Sequence, residues 1–114
     1  MAELPEGPIP KQGEFYDHWK RDPEGSLENH TYLVLGLGKD EETGVYRVFY
    51  RAVDRIEHIK DTDHPLWWCR RLEMFTGYVD DGGRQVPRFT KVTDSLRIFR
   101  LMDIADSLRK PLTK

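Results

Sequence analysis

The sequence predicts a mainly β, antiparallel protein with one α-helix added at its C-terminal end. Three observations carry this. Two runs rich in β-branched and aromatic residues, Thr31–Leu37 and Val45–Val53, flank a charged loop. Asp80-Asp81-Gly82-Gly83 separates two further short apolar runs, a hairpin signature. From about Asp94 to Arg109, apolar residues recur at helical spacing.

The elements follow in order. Residues 1–12, with Pro5, Pro8 and Pro10, read as an extended lead-in. A first strand is predicted from Glu14 to Lys20, broken by the turn residues Asp22-Pro23-Glu24-Gly25-Ser26. The two central strands come next, joined through 38–44. In the second of them Tyr46, Val48, Tyr50 and Ala52 share one face, while Val45, Phe49 and Val53 share the other. Apolar residues on both faces require a cover on both. Asp54 to Pro65 reads as a charged excursion with a helical turn near Arg55–Lys60. Leu66–Cys69 returns to strand, and Arg71–Phe75 makes a tight turn or short helix. Gly77–Val79 and Gln85–Phe89 form the hairpin around Asp80–Gly83, and Pro87, lacking an amide donor, belongs at an edge or bulge.

The last helix has Thr93 or Asp94 as N-cap and Pro111 as its stop. Ile98, Leu101, Met102, Ala105 and Leu108 make one apolar stripe, widened by Ile104, that suits the face of Val45, Phe49 and Val53. Leu96 and Phe99 point away from it, toward a rim or a second subunit.

With 114 residues the chain supports one core and one domain. Aromatic residues make up 11%, too many for a disordered chain, and the net charge of -2 argues against a dedicated nucleic-acid binder. Cys69 is the single cysteine, so no internal disulfide forms. The acidic, Pro-containing start is no secretory signal, and no apolar run is long enough for a membrane span. The expected location is the cytoplasm, with no membrane partner.

One ordered series of fragments is distinctive: Gly13, Tyr16, His18 and Lys20; Tyr32 and Val34; Glu42-Thr43; Val48, Tyr50 and Arg51; Trp68, Arg70 and Leu72-Glu73-Met74-Phe75; and Val86-Pro87-Arg88-Phe89. It resembles domain-of-unknown-function family 1653, a group of short, mostly bacterial proteins, over residues 13–92. The resemblance implies a small SH3-like antiparallel β-barrel; it leaves out the lead-in, 1–12, and the C-terminal helix, 93–114, which is expected to pack on the barrel. It implies no reaction. Arg71, Cys69 and Trp67 depart from the family pattern, and the loops Arg21–His30 and Asp54–Leu66 are longer than its norm.

Several constellations could carry chemistry. Cys69 lies beside Arg70 and Arg71, which would favour a thiolate, but strand alternation predicts a buried, quiet thiol instead. His58, Asp61, Asp63 and His64 offer metal-ligand types within one loop, at a spacing that fits no regular site, so solvated loop residues are expected. Gly36-Leu37-Gly38 lacks the helix that a phosphate loop needs. Glu41-Glu42 and Asp80-Asp81 are solubilising turn residues. The remaining set is Tyr16, His18, Lys20, Tyr50, Arg51, Trp68, Arg70 and Met74, in which aromatics beside cations suit a peptide, a planar ring or a carboxylate.

The sequence therefore predicts a non-catalytic binding module with a protein or peptide partner and no cofactor. A nucleic-acid accessory is the alternative, and after it a small enzyme or metal-binding protein. Self-association through Leu96 and Phe99 is a further expectation. Trp68 and Arg70, two apart in a strand, should share a face.

Overall fold

A computed structural model of the chain describes residues 8–109. The strands are β1 (Phe15–His18), β2 (Thr31–Lys39), β3 (Tyr46–Ala52), β4 (Glu57–His58), β5 (Pro65–Leu66), β6 (Trp68–Arg71), β7 (Tyr78–Asp81), β8 (Arg84–Pro87) and β9 (Phe89–Lys91). The helices are α1 (Leu72–Phe75) and α2 (Ser95–Arg109).

The long hairpin β2–β3 forms where the two apolar runs meet across Asp40–Gly44, and Asp40 closes the turn by accepting the amides of Glu42 and Thr43. Around it the main sheet has the order β6-β3-β2-β1-β9, every pairing antiparallel. β4–β5 and β7–β8 each pair only with one another. These two hairpins use up the strands that would join β6 to β9, so among the described residues the sheet is open and no closed barrel is found. The architecture is mainly β, with antiparallel sheets and a C-terminal helix.

Strand alternation splits the core into two. On one face Tyr16, Val34, Val48, Tyr50 and Phe89 pack with Leu72 and Phe75 of α1. On the other, Phe15, Leu33, Val53 and Val92 pack with Leu101 and Ala105 of α2. A bulge between Val34 and Gly36 shifts the register, so Val34 faces Tyr50 while Gly36 faces Phe49. The Phe49 ring lies over Gly38, where a Cβ would come within 2.6 Å of it.

α2 begins as its cap predicts: Asp94 Oδ1 accepts the Leu96 amide at 3.1 Å. The helix lies over Phe15, Leu33 and Val53, with Ile98 and Ile104 at the flanks. Met102, expected on the inward stripe, is instead 50% exposed, and Val45 and Phe49 remain half-buried. The reason is position: α2 sits over the end of the hairpin near Val53 rather than along its length. The Leu108 side chain, Pro111 and most of the lead-in lie outside what is described.

A polar cluster ties α2 to β1. Arg97 donates to both carboxylate oxygens of Asp17, at 2.6 and 2.7 Å, to Thr31 Oγ1 and to the Leu27 carbonyl. Arg21 donates to the carbonyls of Leu27 and Asn29, which orders the long loop after β1. The helical turn expected near Arg55–Lys60 is absent. That segment forms the β4–β5 ladder, with Asp61 and Asp63 at positive φ in its turn. No described helix is long and apolar enough to cross a membrane.

Candidate functional site

The face of the sheet away from α2 carries a cleft of about 200 Å³ lined by His18, Tyr32, Tyr50, Arg55, Trp68, Arg70 and Phe89. Register builds it. Tyr50 faces Trp68 across β3–β6, Val48 faces Arg70, and His18 faces Phe89 across β1–β9. Since alternate residues share a face, Trp68 and Arg70 emerge together beside Tyr50, as their spacing predicts.

The floor is a packed set of rings. Phe75 and Phe89 stack at 4.1 Å and 7°. Tyr50 meets Phe89 edge-on at 5.6 Å, Tyr32 meets Tyr50 at 5.5 Å and 90°, and His18 meets Phe89 at 5.2 Å. Each contact holds its neighbour's rotamer, so the cleft has a rigid aromatic base.

Charge comes from one sign. Arg70 Nε donates to the Tyr50 hydroxyl at 3.3 Å, and its guanidinium carbon lies 5.9 Å from the Phe89 ring centre. Among the described residues no carboxylate forms a salt bridge with Arg70; its neighbour Arg71 takes Glu73 instead. Arg55 stands at the rim and is paired with Glu57. Among the described residues no acidic side chain lines the cleft.

His18 is held neutral, with its pKa pushed down to about 4 by burial, and further by His30, Arg70, Arg88 and Lys20. Its Nδ1 accepts the Lys20 amide at 3.2 Å, which leaves the ring proton on Nε2 as a donor. Tyr32 is pushed up by burial and by Tyr50, so its hydroxyl stays protonated. The cleft therefore offers a guanidinium, neutral N–H and O–H donors and flat apolar walls. That combination suits an anion carried on a planar or apolar body.

Of the eight residues singled out from sequence, the cleft gathers His18, Tyr50, Trp68 and Arg70. Tyr16 is buried in the core, edge-on to Phe75 at 5.2 Å. Its hydroxyl donates to Glu14, and burial together with the Glu14 charge pushes its pKa up to about 12. Arg51 sits on the opposite face, 5% exposed, donating to the carbonyls of Ala52 and Ala105. Strand alternation sends it away from its neighbour Tyr50. Lys20 lies 5.4 Å over the Trp19 ring, and Met74 is exposed on α1; neither lines the cleft.

Sequence reasoning passed over Tyr32, Arg55 and Phe89. Tyr32 and Phe89 stand in the series of fragments that carries the family resemblance, but they lie on β2 and β9, which hold none of the chosen residues, so only strand pairing brings them to the site. Arg55 had no signal, since it depends on how β4–β5 folds back. Cys69, expected to be buried, is exposed. It lies on edge strand β6 opposite Phe49, on the side that α2 leaves uncovered. Among the described residues no group of three His, Cys, Asp or Glu side chains is placed to hold a metal.

A second, larger groove of about 590 Å³ lies on the α2 face, with Leu33, Leu35, Ile56, Trp67 and Met102 among its walls. It is mainly apolar, with Gln12, Arg51 and Asp106 as its polar lining.

The sequence matches, over residues 14–91, the family described as protein of unknown function (DUF1653). Among solved structures it is similar to the crystal structure of a protein belonging to DUF1653 from Bordetella bronchiseptica. Identity there is 28% and the TM-score 0.50, covering 72% of this chain and 86% of that one. No curated protein matches the sequence.

Proposed function

The chain belongs to the DUF1653 family of proteins of unknown function, and we propose that it is a non-catalytic, SH3-like binding module of the cytoplasm that takes a protein or peptide through the aromatic cleft. The ligand's carboxylate sits on Arg70, within reach of the His18 donor, and its terminal side chain lies against Trp68. The observation that carries this reading is Arg70 itself. It is a half-buried guanidinium on an aromatic floor, bonded to a tyrosine hydroxyl and to no described carboxylate. Tyr50 orients it, Phe89 supports it, and no described acidic side chain competes with a ligand in the cleft beside it. A Trp68 side chain 43% exposed beside it supplies a flat apolar contact.

Calorimetric titration with a short peptide ending in phenylalanine tests this, comparing the free carboxylate with the C-terminal amide. Binding of the acid and loss of binding with the amide support the reading. Equal binding of both removes the carboxylate from it. Binding of a single-stranded oligonucleotide in place of either peptide, with steep salt dependence, would establish the nucleic-acid alternative.

A further inference from the structure

We propose that the peptide docks as an added antiparallel strand on the outer edge of β6, its backbone paired with that of Cys69 while its side chains reach the cleft. This rests on the cleft reading above and names how the ligand is held there. Among the described residues the main sheet ends at β6 on one side and at β9 on the other. The approach to the β9 edge is partly taken: Pro87 has no N–H, and the Arg88 N–H donates to the Gly77 carbonyl at 2.9 Å. The β6 edge is open, and Trp68, Cys69 and Arg71 are exposed along it.

The hydrogen-bond parity of the sheet fixes which groups face outward. In β3 and its turn, the Val45 carbonyl accepts the Asp40 N–H at 2.8 Å, and the Val53 N–H donates to the Thr31 carbonyl at 3.0 Å. The odd-numbered residues therefore bond to β2. The even-numbered Val48 and Tyr50 turn to β6, where they face Arg70 and Trp68. Cys69, between those two, points its N–H and C=O away from β3, and neither bonds to a described residue. A donor and an acceptor side by side on one extended residue are matched by the backbone of another extended chain.

Register then ties the edge to the cleft. A ligand residue level with Cys69 exchanges both backbone bonds with it, and the residues on either side, level with Trp68 and Arg70, project to the cleft face. With the last residue beside Trp68, the penultimate residue is the one that pairs with Cys69. Arg70 bonds to Tyr50, which stands opposite Trp68, so its guanidinium leans toward the end where the terminal carboxylate lies. Charge selects such a peptide over a second copy of this chain. A second β6 would bring two more arginines to an edge that already carries Arg70 and Arg71, whereas a peptide C-terminus brings a carboxylate.

Calorimetric titration of the full chain with the free-carboxylate peptide ending in phenylalanine tests this, with one N-methyl group placed on the peptide backbone. Methylating the penultimate residue removes the donor to the Cys69 carbonyl and should weaken binding roughly tenfold or more. Methylating the last residue, whose N–H points away from β6, should leave binding nearly unchanged. Cys69→Pro removes the outward N–H, spares the ladder to β3 and keeps Trp68 and Arg70, and should weaken binding by a similar factor. Circular dichroism shows whether that variant folds; if it does not, the methylated peptides decide on the wild type. Binding of both methylated peptides as tight as the parent, or a loss on methylating the last residue, overturns the added strand and leaves the cleft reading standing. Wild-type affinity in folded Cys69→Pro does the same. No binding of the parent peptide removes both.

Discussion

Arg70→Ala separates a binding cleft from a structural one. In the folded chain this side chain has one long hydrogen bond, 3.3 Å to the Tyr50 hydroxyl, and one cation–ring contact at 5.9 Å. A typical hydrogen bond contributes about 0.5–1.5 kcal/mol net, and a cation over a ring near the surface about 0.5–1 kcal/mol. The bond is long, and the Tyr50 hydroxyl opens onto a cleft that water can enter, so the variant should lose about 1 kcal/mol of stability. Losing the cation from a carboxylate–guanidinium pair in a partly buried site costs about 2–5 kcal/mol of binding. That corresponds to a roughly thirty-fold to few-thousand-fold fall in affinity. Urea unfolding gives the first quantity and calorimetric titration with the free-carboxylate peptide gives the second. Arg70→Lys keeps the charge but loses the fork, and should fall between wild type and alanine in affinity. A variant destabilised by more than about 3 kcal/mol, with affinity unchanged, would refute the assignment and make Arg70 a structural residue.

Three further outcomes follow from the packing. Arg97→Ala leaves Asp17 and Thr31 without the two-pronged partner that joins β1 to α2; urea unfolding should show a loss of about 3 kcal/mol or more, and a loss below about 1 kcal/mol would contradict the described contacts. Leu101→Ala empties a fully buried position between α2 and the sheet, at a cost of about 2–5 kcal/mol, and an unchanged melting temperature would mean that α2 is not integral. His18 has a folded pKa near 4 against an ordinary value of 6.5. The unfolded chain therefore binds more protons between these values, and the His18 contribution to stability is present above pH 6.5 and lost as pH falls toward 4. NMR titration of the imidazole checks this, and a midpoint near 6.5 would contradict it; a bound carboxylate should raise the midpoint by opposing the surrounding cations.

The fold was legible wherever side chains repeat with a period. The β2–β3 hairpin, the Asp80–Gly83 turn and the capped α2 announce themselves in a few consecutive residues, and each is found within a residue or two of its expected bounds. What the pattern could not supply was three-dimensional placement. Closure of the sheet depends on which strands find partners, and β7–β8 pair with each other rather than joining the ring. Cys69 and Met102 had the spacing of buried residues, but α2 covers only the end of the hairpin, so both are exposed. The charged stretch after β3 resembled a helical turn because its acids and bases are helix-compatible; positive φ at Asp61 and Asp63 makes it a turn between short strands.

The candidate site shows the same division. Trp68 and Arg70 share a face because strands alternate, and that much was written in their spacing. Arg51 was grouped with Tyr50 by adjacency in sequence, and the same alternation puts it on the helix side. Phe89 and Tyr32 entered only when pairing brought β9 and β2 beside the chosen residues.

The central claim is that ligands enter at the aromatic cleft and not on the α2 face. Two-dimensional NMR of the labelled chain, titrated with the free-carboxylate peptide, tests it directly. Saturable shifts should cluster at His18, Tyr32, Tyr50, Trp68, Arg70 and Phe89, and disappear in Arg70→Ala. Shifts confined to Leu35, Trp67, Met102 and Ala105, or no saturable shifts at any residue, would contradict the account.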